Sequence, residues 1–389
     1  MKKIVFVTAT RAEYGLLKPL IIKMLSDSYF DTRVVATGMH LSPEFGMTVR
    51  EIENDGVHID KRIEILMSSD TSVGLSKSMG LAMISVSEYF DESKPDALIV
   101  LGDRFETLAI CAAATNARIP IFHLHGGEAT EGLIDEAIRH SITKMSYLHF
   151  TSTEAYRKRV IQMGEAPNRV FNVGAIGVEN ALNTQLYTKE ELEDSIGFSL
   201  GEKYVVGTFH PVTLENATAE AQIHELLRAI NDHKDYCYLF TKANADTDGR
   251  IINEVLESYT KVTPNFYLVD SLGMRRYLSA LKYASFVIGN SSSGLIEVPS
   301  FHIPTINIGD RQRGRIAGGT VINCEPTHES IDGAIKKAIS PEFIKTLKNE
   351  KNPYGDGNVS DKIISVIRHF FLNDAIDIKK KFYDLDFEV

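Results

Sequence analysis

The sequence predicts an α/β protein built from two Rossmann-like, doubly wound domains that face each other across a cleft. Three observations carry this expectation. Short, almost wholly apolar runs such as Lys2 to Thr8 and Asp96 to Leu101 recur between longer amphipathic stretches. Strands that are apolar on both faces belong to buried parallel sheets. The beat stops in the polar stretch from Thr184 to Leu200 and starts again near Lys203, and 389 residues are long for a single core.

Taken in order, Lys2 to Thr8 reads as a strand and Tyr14 to Leu25 as a helix with apolar residues at helical spacing. Asp31 to Thr37 is a second strand, Pro43 to Asp55 a charged helix, and Val73 to Glu92 a longer one. Asp96 to Leu101, Pro120 to Leu124 and Leu148 to Thr151 complete the first series of strands. The second series runs through strands at Lys203 to Phe209, Tyr236 to Thr241, Asn265 to Val269, Ser285 to Gly289 and Thr305 to Ile308, with a helix at Ala217 to Asn231. The expected domains are residues 1–180 and 181–365, joined by a linker around 176–200. Residues 366–389 form a C-terminal tail, whose highly charged end, Ala375 to Val389, is expected to lie on the surface or fray.

Composition narrows the function classes. Hydrophobic residues make up 43% and charged residues 24%, as in ordinary soluble proteins. The apolar stretch after Met1 spans only Ile4 to Val7, too short for a signal peptide, and no later run approaches ~18 apolar residues. Three widely spaced cysteines, Cys111, Cys237 and Cys324, show neither a disulfide framework nor metal-ligand spacing. A cytoplasmic setting is expected. The net charge of −10 argues against nucleic acid or an anionic membrane as partner. An anionic ligand must then be held by local cations, and Arg11, Arg104, Arg311, Arg313 and Arg315 all follow strand-like runs.

The segment HLHGGEATEGLIDEAIRHSITK, His123 to Lys144, is the densest in chemistry. It follows the apolar run Ile119 to Phe122 and gathers His125, Glu128, Asp135, Glu136 and Arg139 around a Gly126-Gly127 pair. Imidazoles and carboxylates crowded at a strand end are candidates for proton transfer. Thr8-Ala-Thr-Arg11 opens the first helix and suits an anion, but it is not the Gly-x-Gly-x-x-Gly fingerprint, so NAD is disfavoured. Gly102-Asp103-Arg104 ends another strand; a capping role is the plain alternative, and the neighbouring Arg tilts the reading toward function. His210-Pro211 is weak evidence by itself. Asn290-Ser291-Ser292-Ser293-Gly294, with Glu297 beyond, offers backbone N–H groups to a phosphate and a carboxylate to a ribose.

Together the motifs GDR, H-x-HGGE, DE-x-x-RH, HP-x-T, NSSSG-x-x-E and NIGDRQ-x-GR resemble the hydrolysing UDP-N-acetylglucosamine 2-epimerases of bacterial sialic acid synthesis. The resemblance runs from Lys3 to about Tyr354. It implies a fold of the glycosyltransferase B type, a homodimer, and no metal or other cofactor. It also implies conversion of UDP-N-acetylglucosamine and water to N-acetylmannosamine and UDP. Asp103, Asp135 and His210 match positions assigned to catalysis. Arg11, Asn244, Ser292, Glu297 and Arg311 match UDP-binding positions, and His40 one near the sugar. Arg104 and Ser291 stand beside these and join the binding set. Where the animal enzyme and the non-hydrolysing relatives carry a catalytic Glu, this chain has His125. Glu128 could supply the carboxylate, or His125 could itself act.

Three other readings compete. The same chemistry on UDP-2,4-diacetamido-2,4,6-trideoxyglucose, for legionaminic acid, would use the same motifs. A metal hydrolase using His123 and His125 lacks the barrel it would need. A sugar-nucleotide sensor would keep NSSSG-x-x-E and Arg311 but has no need for Asp103, Glu128 and Asp135 together.

Overall fold

The computed structural model describes residues 1–67, 71–130, 134–211, 219–243 and 249–386. The chain divides into two units: residues 1–129, 134–180 and 354–389 form the first, and 130–133 with 181–353 the second.

The first unit holds seven strands: β1 Lys2–Thr8, β2 Phe30–Thr37, β3 Lys61–Ile63, β4 Ala97–Leu101, β5 Ile121–Leu124, β6 Leu148–Thr151 and β7 Val170–Asn172. All neighbours pair in parallel, in the order β3-β2-β1-β4-β5-β6-β7. Alternation along β1 sends Ile4 and Phe6 into one core and Val5 and Val7 into another, so both faces are covered. The strand order reverses between β1 and β4. At such a switch point the loops leaving the two strands diverge to opposite faces and open a crevice.

The second unit repeats the plan with β8 Tyr204–Thr208, β9 Cys237–Thr241, β10 Phe266–Val269, β11 Phe286–Gly289, β12 Thr305–Ile308 and β13 Val321–Cys324. The order is β10-β9-β8-β11-β12-β13, again all parallel, with the reversal between β8 and β11. Gly289 closes β11 at φ +136°, and a Cβ there would stand 1.9 Å from Thr208 O. Only glycine lets the two central strands approach so closely where they part. Each unit is therefore a Rossmann-like domain, as the sequence predicts.

Three expectations need correction. The helix expected over Pro43–Asp55 is a 3-10 turn, Pro43–Phe45, followed by a short helix, Val49–Asn54; Gly46 at φ +84° and Met47 at φ +49° break it. The stretch expected as a linker carries two helices, Ile176–Asn183 and Lys189–Ile196, the second started by a reciprocal capping box between Thr188 and Glu191. The second unit ends at Pro353, not residue 365. The helix Val359–Leu372 returns to the first unit, where Val359, Ile363 and Ile367 join the core of Ile4 and Phe6, and buried Glu179 accepts from the N–H and hydroxyl of Ser360. The charged end of the tail lies largely exposed, as expected, and is anchored at its start. Lys380 Nζ donates to the carbonyls of Lys144 (2.6 Å) and Ser146 (2.9 Å) and to Glu165 (2.9 Å), and the Tyr147 hydroxyl donates to Ala375 O (2.8 Å).

Candidate active site

In the first unit the polar groups collect where β1, β2, β4 and β5 end. Asp103 follows β4, and its Oδ2 accepts from Arg139 Nε at 2.9 Å and from Arg139 Nη2. Arg139 stands on the helix Ile134–Met145 and is only 1% exposed. Its remaining donor, Nη1, reaches the Glu128 carbonyl at 2.8 Å and Glu136 Oε2 at 2.9 Å. One buried guanidinium fork thus orients Asp103 and Glu136 and ties the segment after β5 to the helix. Asp135, in the first turn of that helix, is half-buried and faces the Arg104 charge. Arg104 itself pairs with the buried Glu106 at 2.6 Å.

His125 sits at φ +64° directly after β5, and Gly127 at φ +79° leaves no room for a Cβ against Tyr156 O, 2.6 Å away. This tight turn faces both His125 and Glu128 inward. The Ile176 N–H donates to His125 Nε2 at 3.3 Å, which puts the ring proton on Nδ1, and Nδ1 lies 3.4 Å from Glu128 Oε1. Glu128 Oε1 also accepts from the Ser152 hydroxyl at 2.8 Å, and Glu128 is 5% exposed. Both nitrogens of His125 are engaged within the fold. His123 is also buried; Nε2 takes part in a 2.8 Å bond with Gly102 O, and burial pushes the ring down to about 3. It secures the end of β4.

His40 is fully buried after β2, between the hydroxyls of Thr8 (3.1 Å) and Thr48 (2.9 Å), and burial pushes it down to about 4, so it is neutral. Arg11 opens the first helix with its side chain 47% exposed, 3.9 Å from Glu51.

In the second unit the two strands at the switch point are clamped together. Asn290, after β11, accepts from the His210 N–H at 2.7 Å and returns a bond from Nδ2 to His210 O at 2.8 Å. The Asn290 carbonyl accepts from Arg311 Nη1 (3.2 Å) and Gln312 Nε2 (2.8 Å). Burial, with Arg311 nearby, pushes His210 down to about 3, so it is a neutral imidazole and not a standing acid. Ser291 and Ser292 lead into a single helical turn, Ser293–Ile296, which Glu297 ends. The Tyr277 hydroxyl donates to Ser293 Oγ at 2.9 Å and lies near the Glu297 charge. Arg313 is exposed beside Asp310, and with Arg315 it lines a cavity of about 420 Å³. Asn244 lies outside the described residues.

The model of the UDP-N-acetylglucosamine 2-epimerase family matches residues 23–368. The chain belongs to this family. It is 42% identical over 386 residues to polysialic acid biosynthesis protein P7 of Escherichia coli, covering 99% of this chain and 98% of the relative. It is 43% identical over 385 residues to the hydrolysing GDP/UDP-N,N'-diacetylbacillosamine 2-epimerase of Campylobacter jejuni, covering 99% of each. Among solved structures, the S. aureus MnaA–UDP co-structure superposes with a TM-score of 0.80 at 20% identity over 99% of this chain and 100% of that one. The Neisseria meningitidis UDP-GlcNAc 2-epimerase bound to UDP-GlcNAc does so at 0.75 and 19%, over 94% and 100%. The fold is that of these epimerases, two Rossmann-like domains of the glycosyltransferase B type.

Within this epimerase fold Asp103, Asp135, Arg104 and His40 gather in the first unit, and His210, Ser291, Ser292, Glu297 and Arg311 in the second. Sequence reading gave no role to Glu13 or Glu106, read Asn290 only as part of a phosphate-binding backbone stretch, and noted Arg139 without assigning it a role. The signal for Arg139 was present: four residues past Asp135, it shares a helix face with it. Glu13 and Glu106 had no such signal, because their importance comes from burial, and the Asn290 clamp on His210 joins residues remote in sequence. Among the described residues no group of three His, Cys, Asp or Glu side chains is placed to hold a metal ion.

Proposed function

We propose that this epimerase-family chain hydrolyses UDP-N-acetylglucosamine to N-acetylmannosamine and UDP, with inversion at C2, as a step toward sialic acid. The observation that carries the reading is the Asp103–Arg139–Glu136 network, with Asp135, at the β4 end of the switch point. The C2 proton of an N-acetylhexosamine has no strongly acidifying neighbour, so its removal needs a positioned base together with departure of the leaving group. A carboxylate of this set takes the proton as the C1–O bond breaks and its electron pair leaves on UDP, giving a 2-acetamidoglucal. Hydration then puts a hydroxyl on C1 and returns a proton to C2 on the opposite face. Asp103 and Asp135 serve as base and acid. Arg139 holds Asp103 in place, Arg11 and Arg104 counter negative charge, and His40 lies near the sugar. Residues of the second unit, Ser291, Ser292, Asn244, Glu297 and Arg311, hold the UDP, with neutral His210 donating or accepting a single hydrogen bond.

The 43% identity to a diacetylbacillosamine 2-epimerase supports a second substrate, UDP-2,4-diacetamido-2,4,6-trideoxyglucose. Incubation with each nucleotide sugar, following UDP release, decides between them. Turnover of only the diacetamido sugar moves the assignment to legionaminic acid synthesis, and release from neither ends the hydrolase reading. Run in heavy water, the elimination route places one deuterium at C2 of the product, and retention of the original hydrogen would refute it.

The chain acts as a homodimer in the cytoplasm on this reading. Val73 (61% exposed), Leu81 (40%) and Ile84 (62%) share one face of the helix Ser72–Ser93 and suit a second copy. Three free cysteines and a nucleotide-sugar substrate fit a reducing compartment.

A further inference from the structure

Glu13 stands in the first turn of the helix Arg11–Leu25, where an acidic side chain ordinarily faces solvent and favours the helix dipole. Here it is only 7% exposed. Its carboxyl folds back over the start of its own helix, and Oε2 accepts from the Ala9 N–H at 2.7 Å and from the Thr8 hydroxyl at 3.4 Å. The same Thr8 oxygen lies 3.1 Å from His40 Nε2, and the His40 N–H donates to Ala9 O at 3.1 Å. Glu13 therefore holds Thr8 and Ala9, two of the three residues on which His40 rests, the third being Thr48.

The charged groups facing Glu13 come from the segment after β4. Glu106 and Arg104 act on it, and Arg104 in turn feels Asp135 from the helix Ile134–Met145. His40 faces it through Thr8 from the segment after β2. Glu106 Oε2 is buried with no hydrogen-bond partner among the described residues, so a second carboxylate charge close by is unfavourable. Burial first, then Glu106, raises Glu13 to about 8 against the Ala9 hydrogen bond and Arg104. The side chain is a neutral acid at physiological pH.

We infer that Glu13 is a positioning residue of the site proposed above, a buried carboxylic acid that fixes the His40 ring and the Thr8–Arg11 turn in the form that receives the substrate. The inference rests on the epimerase reading. It deepens that reading by giving the sugar-side residues a support whose charge state matters. Ionising Glu13 would place a negative charge beside Arg104, one of the cations available to an anionic substrate, and weaken binding.

Two variants test this. Glu13→Gln keeps a neutral side chain of the same shape, and Glu13→Ala removes it. The wild type should lose kcat/KM about tenfold per pH unit above roughly 8, and Glu13→Gln should lack that limb while keeping KM within about threefold at pH 7. Glu13→Ala should raise KM about tenfold or more with a smaller change in kcat. Thermal unfolding checks that each variant folds; if Glu13→Ala does not, the pH profile of Glu13→Gln decides alone. The same alkaline limb in Glu13→Gln, or a wild-type KM in folded Glu13→Ala, overturns the inference. If the wild type turns over neither nucleotide sugar, the epimerase reading has failed, and NMR of labelled histidine decides the role of Glu13 separately. A His40 resonance that inflects near pH 8 in the wild type and not in Glu13→Gln upholds it, and identical titrations refute it.

Discussion

Replacing Arg139 by Met should cost both stability and turnover, by amounts the geometry bounds. The methionine fills the aliphatic volume but leaves Asp103, Glu136 and the Glu128 carbonyl without their shared donor. Removing one partner of a fully buried ion pair costs roughly 3–5 kcal/mol. Asp103 and Glu136 keep 28% and 31% of their side-chain surface exposed and can recruit water, so a smaller loss, about 2–3 kcal/mol, is expected. That is within the margin of a typical domain, so the variant should fold, with a lower urea midpoint. Turnover should fall about 10²-fold or more, because Asp103 is freed to rotate away from the C2 proton. Arg139→Lys should lie between, since an ammonium keeps the charge but not the fork. Urea unfolding and UDP release measured on one preparation separate the two effects. A folded Arg139→Met protein with kcat within twofold of wild type would show that Asp103 needs no guanidinium to act, and the proposed division of roles would fail.

Other expectations can be checked on the same preparations. Asp103→Asn and Asp135→Asn should each lower turnover ~10²–10⁴-fold with the fold intact; near wild-type turnover removes that residue from the chemistry. Glu297→Ala should weaken UDP binding by roughly 1.5–3 kcal/mol in calorimetry, and an unchanged affinity ends its nucleotide role. Stability should fall on acidification. His40, His123 and His210, lowered to about 4, 3 and 3, stay neutral in the fold while the unfolded chain takes up protons below about 6.5. Each subtracts roughly 1.4 kcal/mol per pH unit below that value, down to its folded pKa. Glu13, raised to about 8, works in the opposite sense between about 8 and 4.5 and offsets one of the three. A urea midpoint at pH 5 no lower than at pH 7 contradicts these neutral histidines.

The sequence by itself determined the fold class, since apolar runs such as Asp96 to Leu101 can be buried on both faces only in a parallel sheet. It also placed Asp103 and His210 directly after strands, because those boundaries are written in local patterning. Tertiary structure decided the rest. Gly46 and Met47 break an amphipathic stretch that reads as one helix, and the helix Val359–Leu372 leaves the unit it follows because its apolar face completes the core of β1. His125 and Glu128, the two alternatives for the family's catalytic carboxylate position, turn inward on the Ile176 N–H and on Ser152, partners remote in sequence. Arg139 links Asp103, Glu128 and Glu136, and Glu13 holds its proton because of what buries it. Charge state and orientation depend on desolvation and on groups brought together by folding, and no local pattern records either.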